Sequence, residues 1–336
     1  MQAAPGRECP KRKWHRWDHF RMTRHRYSVV MMTYNQQDFV ADAISAVLRQ
    51  ECPPLEVLIS DDNSTDATFE RIEGQVAGYS GPHRIILNRN PVNLGITAHL
   101  NSCFRLCSGD LLIAASGDDV SMPGRMARII EAYEKDRPLL IHSRVDSAAL
   151  NGGVKDPRFN RIGFLRRPGI ERIATSMSLY IGATAAWDRE IVTKYGDLPE
   201  RDCYEDLIFG FRAALEGRVS FIDEELVEYR VGSGVSTARG KAPSWSGWSR
   251  GRRKDLRRTL TVLRERLRNA RTFGLPAGHP VSRAIRGALA LAQARLNLHE
   301  ERPDRGPVPG PARPVTYVRA AVGELLSYRN ARRRGL

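Results

Sequence analysis

What this chain lacks narrows its role before anything it contains. Nowhere in its 336 residues do roughly 18 apolar residues run together, so no segment reads as a membrane-spanning helix. The N-terminus lacks the apolar stretch of a secretory leader and is basic and aromatic instead. Cysteine is scarce. The five present are an odd number with no CxxC pair, which argues against a disulfide scaffold or a zinc site. Cys103 and Cys107, one helical turn apart with no His or Cys cluster beside them, read as small buried thiols of a reducing cytoplasm. Internal repeats are absent as well.

The net charge of +15 is unevenly spread: residues 1–26 carry +6, 27–240 carry −7 and 241–336 carry +16. The basicity therefore belongs to the two ends. A mildly acidic middle lacks the footprint that nucleic-acid phosphates select, so no nucleic-acid partner is expected. The chain divides accordingly into a basic disordered arm (1–26), a central domain (27–240) and a basic helical region (241–336). Met22, five residues before the first predicted strand, is an alternative start that would remove most of the arm.

From Tyr27 onward, short apolar runs alternate with helical stretches. Strands are predicted at 27–33, 55–60, 84–88 and 111–115, with helices near 37–50, 66–78 and 96–107 and another opening at Pro123. Such alternation means βαβ units and a parallel sheet, and strands without polar alternation fit a sheet covered on both faces. Beyond 138 the pattern loosens. Strands are expected at 139–145 and 184–187, a helix at 205–216 and a strand pair at 219–230, with loops at 150–170 and 232–249. In the tail, Leu256, Leu260, Leu263 and Leu267 lie at helical spacing among arginines. A second helix is expected near 281–298, a Pro-rich linker at 303–314, and then a short helix carrying Val318, Val322 and Leu325.

Two predicted strands end in an Asp pair. Leu58-Ile59-Ser60 runs into Asp61-Asp62-Asn63-Ser64-Thr65-Asp66, and Leu111–Ala115 runs into Ser116-Gly117-Asp118-Asp119. Open α/β sheets keep their ligands in the crevice beyond the carboxyl ends of their strands. Carboxylates in that place suit a divalent cation and a nucleotide; read alone, each pair could simply cap the helix that follows. Glu205-Asp206 opens an apolar-periodic helix, where an acid otherwise gains only a few tenths to about 1 kcal/mol from the helix dipole.

Thr33-Tyr34-Asn35, the segment 60–66, Asn93-Leu94-Gly95, Ser116–Asp119 and Glu205-Asp206 occur in an order and spacing that resembles the GT-A glycosyltransferases of inverting family 2. The resemblance covers about residues 27–235. It implies an α/β, Rossmann-like, mostly parallel sheet with helices on both faces, here followed by a basic α-helical extension. It also implies a nucleotide-sugar donor, UDP-linked, and Mg²⁺ or Mn²⁺ held by Asp118 and Asp119, with Asp118 also reaching the ribose. Thr33, Tyr34 and Asn35 would frame the base, Asp61 would recognise it with Asp62 beside it, Asn93 and Gly95 would lie toward the diphosphate, and Arg230 would either supply charge to the diphosphate or serve packing. Asp206, with Glu205 second, would be the base that takes the acceptor proton, since inversion needs one.

Three departures stand out. Leu100 occupies a position where family members often carry Arg, Ser116 replaces the first acid of the fuller Asp-x-Asp-Asp form, and Gly232 stands where a His often assists the metal. The missing Gln-x-x-Arg-Trp motif argues against a processive synthase. A glycan or lipid-linked acceptor in cell-surface polysaccharide synthesis is expected. The basic tail reads either as a contact with an anionic membrane, making the protein cytoplasmic and peripheral, or as a helical subdomain packed on the core. A degenerate domain that binds nucleotide sugar or membrane without turnover is the alternative function; the joint presence of Asp61, Asp118, Asp119 and Asp206 argues against it. A sugar nucleotidyltransferase would need a Gly-rich basic loop after the first strand, and Thr33-Tyr34-Asn35-Gln36 is not one.

Overall fold

A computed structural model describes residues 27–156, 159, 169–201, 203–231, 245–300 and 314–333. The arm, the linker from 303 to 313, Gly232 and most of the loops at 150–170 and 232–249 lie outside the described residues. Eight strands form one sheet: β1 (Tyr27–Thr33), β2 (Glu56–Asp61), β3 (Arg84–Arg89), β4 (Leu111–Ser116), β5 (Val120–Ser121), β6 (Leu140–Asp146), β7 (Ala186–Asp188) and β8 (Val219–Glu228). Their order is β3–β2–β1–β4–β7–β6–β8–β5. The β3–β2–β1–β4 half is wholly parallel, as βαβ units require, whereas β7 runs antiparallel to both β4 and β6.

Both faces of the parallel half are buried, which is why its strands read as unbroken apolar runs. Val29, Met31, Val57, Ile59 and Ile113 face α1 (Val40–Leu48), α2 (Thr68–Val76) and α4 (Arg125–Asp136). Val30, Leu58 and Leu112 face a second apolar cluster. That cluster draws Leu100, Cys103 and Phe104 from α3 (Ile96–Leu106), Ile173 and Ala174 from α5 (Ile170–Thr175), Ile191 from α6 (Glu190–Thr193) and Phe209 and Phe211 from α7 (Glu205–Leu215), together with the fully buried Trp187. Cys103 and Cys107 are buried here, and burial pushes both thiols up to about 12, so they remain neutral packing groups.

The segment 219–230 is one strand rather than a pair. Its three consecutive acids, Asp223, Glu224 and Glu225, each meet a cation across the surface: Arg144, Arg128 and Lys155 respectively. Register shifts on either side of Arg144 absorb the extra residues of β8, so that it pairs with β6 from Val219 to Glu228.

In the tail, α8 (Trp245–Thr272) and α9 (Pro280–Asn297) join the central domain. Val262, Leu263, Ala270, Val281 and Ile285 belong to the same apolar cluster as Phe209. Leu256 and Leu260 are buried and Leu267 packs on the cluster, so the leucine stripe faces protein. The last helix, α10 (Pro314–Arg333), runs 20 residues and is not short. Its inner side is pinned by the buried Glu324, which accepts two 2.9 Å hydrogen bonds from Arg252 and lies 3.0 Å from His299. Its outer side exposes Val318, Val322, Leu325 and Leu326. Among the described residues no helix is long and apolar enough to cross a membrane.

Candidate active site

Sheet register brings the sequence motifs to one edge. Thr33 pairs with Asp61 and Met32 with both Ser60 and Ser116, so β1, β2 and β4 end level. The loops that follow are stapled together. Asn35, in the left-handed region at φ 52°, donates its N–H to Ser64 Oγ (2.9 Å), and its Oδ1 accepts from Thr65 N (2.9 Å). Gln36 N donates to Thr68 Oγ1 at 2.8 Å. Ser64 and Thr65 thus cross-link two loops together with Asp66, which accepts from Gln37 N (3.3 Å) and from Thr68 N (3.0 Å) at the start of α2. Tyr34 stands out as the exposed aromatic at this rim, free to stack on a planar ligand.

The first Asp pair is structural in its contacts. Asp61 is fully buried, and its carboxylate accepts from Ser64 Oγ (2.5 Å), Ser64 N (2.9 Å) and Thr33 Oγ1 (3.2 Å), with Arg89 Nε at 3.6 Å. Its carboxylate is thus committed to the loop that follows β2. Asp62 is equally committed. It accepts from Asn90 Nδ2 (2.8 Å), Leu94 N (2.9 Å) and Gly95 N (2.9 Å), tying the Asn93–Gly95 turn to β2 and leaving Asn93 exposed. Leu100 points into the core and Asn101 bonds Leu198, so the missing arginine has no substitute at that position.

The second pair is different. Asp118 and Asp119 sit side by side, nearly buried, where β4 meets β5. Burial first, then the charge of Asp118, pushes Asp119 up to about 7. Arg230 N donates to Asp119 Oδ1 (2.9 Å), while the Arg230 guanidinium lies 4.0 Å over the Phe39 ring and donates to the Asp118 carbonyl (3.2 Å). A Cβ on Gly117 would stand 2.8 Å from Thr33 Cγ2, so glycine lets this loop close against β1. Two crowded carboxylates match the one or two that Mg²⁺ or Mn²⁺ takes alongside phosphate oxygens. No cluster of three or more metal-ligating side chains occurs among the described residues.

Arg125 links this corner to the third acid pair. Fully buried, it donates to Ser121 Oγ, Ala114 O and Ala183 O, each at 2.8 Å. Ala183 lies in a 3-10 turn (Gly182–Thr184) whose Gly182 leaves the space that the Glu205 carboxylate fills. Glu205 and Asp206 open α7 from a half-buried position. Burial and the neighbouring Glu205 push Asp206 up to about 8, and burial raises Glu205 as well. Among the described residues Asp206 Oδ1 has no hydrogen-bond partner. Sequence reasoning missed Arg125 and Gly182. The signal for Arg125 was a cation in the first turn of a helix, where the dipole disfavours it.

A mixed sheet carrying acid pairs beyond its parallel strands is the GT-A glycosyltransferase architecture. The mannosyltransferase of Pyrobaculum calidifontis in complex with GDP-Man and Mn²⁺ shares it at TM-score 0.51 and 17% identity, covering 94% of this chain and 84% of that one. TarS of Staphylococcus aureus (residues 1–349), in complex with UDP-GlcNAc, does so at 0.52 and 16%, covering 82% and 81%. The profile described as Glycosyl transferase family 2 matches residues 28–196, and the chain belongs to that family. EpsE of Bacillus subtilis, described as a glycosyltransferase, is 36% identical over 110 residues, 33% of this chain and 39% of its own length. WcaA of Escherichia coli, assigned to colanic acid biosynthesis, is 33% identical over 100 residues, 30% and 35% of the two lengths. The chain thus aligns with well under half of either relative.

Proposed function

We propose that the protein is an inverting, metal-dependent glycosyltransferase. It moves a sugar from a nucleotide-sugar donor, UDP-linked, to a glycan or lipid-linked acceptor in the assembly of a cell-surface polysaccharide. The observation that carries this reading is the pairing, through Arg125 and the 182–184 turn, of a crowded two-carboxylate corner with Asp206, whose Oδ1 has no hydrogen-bond partner among the described residues. The nucleotide complexes of TarS and the mannosyltransferase, and the polysaccharide assignment of WcaA, support it.

In the reaction the acceptor oxygen attacks the anomeric carbon from the face opposite the leaving diphosphate. The new C–O bond forms as the bond to the phosphate oxygen breaks, and Asp206 receives the acceptor proton. Glu205, close by, keeps Asp206 a strong enough base to accept it. Tyr34 stacks on the base at the rim, and the loops held by Asp61 and Asp62 shape its pocket. Asp118 and Asp119 would hold the divalent cation, which when bound neutralises charge developing on the diphosphate. A panel of nucleotide sugars scored by thermal shift, with and without Mn²⁺, tests the reading. A metal-dependent shift with at least one donor is expected, and silence from every donor would sink it.

The exposed Val318, Val322, Leu325 and Leu326, flanked by the exposed Arg319 and Arg329, make α10 the element we assign to an anionic membrane. Apolar burial plus about 1 kcal/mol per nearby basic residue would hold it there and bring a lipid-linked acceptor within reach. The intact chain should float with phosphatidylglycerol vesicles, and Val322→Glu/Leu325→Glu should not. Equal flotation by both removes α10 from the membrane.

A further inference from the structure

A fully buried guanidinium lies beside Asp206. Arg266, on α8, is wholly inaccessible to solvent. It donates through Nε (2.9 Å) and Nη2 (2.7 Å) to Leu207 O, the carbonyl of the residue after Asp206. Its Nη1 donates to Ile173 O (3.2 Å), Ala174 O (3.1 Å) and Ser176 O (2.7 Å), at the end of α5 (Ile170–Thr175). Last-turn carbonyls have no partners within their own helix, and a cation there also suits the dipole. Each of these partners is a neutral carbonyl. The carboxylate whose charge acts on Arg266 is Asp206, without a hydrogen bond between them.

Packing alone does not call for this residue. Val262, Arg266 and Ala270 form one row along α8, and both neighbours are fully buried in the apolar cluster. A leucine or methionine there would spare the desolvation of a charge, which is large unless the charge is used. Burial pulls Arg266 down to about 9, and Asp206 opposes that pull.

We propose that Arg266 is a positioning residue for Asp206: its fork fixes the start of α7 against α5, and its charge lets the base ionise inside a buried site. The proposal rests on Asp206 being the base. Charged and titratable groups around Asp206 come from every packed element. Glu205 on α7 raises it, Arg266 on α8 lowers it, and Tyr180 and Cys203 feel the same two acids. Beyond Cys203 lie Glu265 and Arg212, bonded to each other at 3.0 Å, and Arg258 sits over the Tyr204 ring.

The test is kcat/KM against pH on the full chain, using whichever donor the panel identifies, with donor-induced thermal shift as a control. Arg266→Met removes fork and charge. The rising limb should move up by about one pH unit or more, giving roughly 10-fold loss near pH 7 with the donor shift retained. Arg266→Lys keeps charge and stem but loses the fork. Its limb should stay in place while kcat falls about 10-fold, and it keeps the proposal testable if the Met variant does not fold. Wild-type kcat in Arg266→Lys, or an unmoved limb in a folded Arg266→Met, overturns the proposal. Asp206→Asn measured alongside separates the two claims: if it still transfers, the base assignment fails; if it is inactive, the Arg266 outcomes stand on their own.

Discussion

Asp206→Asn is expected to lower kcat by about 10³ while leaving the donor-induced thermal shift intact, since a positioned general base contributes roughly 10² to 10⁴. Asn keeps the size and shape of Asp, and its NH₂ can take the place of Oδ1, which has no partner among the described residues, so folding should be undisturbed. The pH profile carries the sign. Burial and Glu205 hold Asp206 protonated below about 8, and a protonated carboxyl cannot take the acceptor proton. In the free enzyme kcat/KM should therefore climb as pH rises toward 8 and level off above it. Glu205→Gln removes the like charge and should move that limb to lower pH. A profile flat from pH 6 to 9, or transfer at near wild-type rate by Asp206→Asn, would show that another group takes the proton.

Asp119→Asn should abolish any Mn²⁺-dependent stabilisation and lower transfer by about 10³ or more, because charge stabilisation of this kind contributes several kcal/mol. The change is well confined. The amide oxygen of Asn can still accept the Arg230 N–H that Asp119 Oδ1 accepts at 2.9 Å, so the approach of β8 to the acidic corner survives. Loss of the metal response with an unchanged metal-free melting temperature is the expected signature. A variant that keeps its Mn²⁺ response would move the cation away from Asp118 and Asp119.

Much of this fold could be read from residues because the parallel strands are buried twice over. Val29, Val30 and Met31 had no polar alternation to hide behind, and the turns after them carried Asn, Asp and Gly. The stretch 219–230 was expected as a strand pair but is one strand, whose acids Asp223, Glu224 and Glu225 meet Arg144, Arg128 and Lys155 from distant parts of the chain. At the site the acidic residue types were legible, yet their environments were not. Nothing in Ser60-Asp61-Asp62 says that the first acid is sealed by Ser64 and Thr33 and the second by Asn90 and the 94–95 amides. Arg125 and Arg266 escaped for a related reason: most of their partners are backbone carbonyls, which leave no mark in side-chain identity.

The anchoring of α5 and α7 by a side chain at position 266 also sets a timetable. During synthesis the strands ending in Asp61 and Ser116 emerge early and can pair at once, whereas Leu207 O and the carbonyls at the end of α5 must wait for residue 266 to clear the ribosome exit tunnel. Until then the start of α7 has only its packing on residues already made, such as Leu179 and Tyr180, to place it. A nascent chain should therefore form its parallel sheet edge well before the start of α7 is fixed, because that step waits for residue 266.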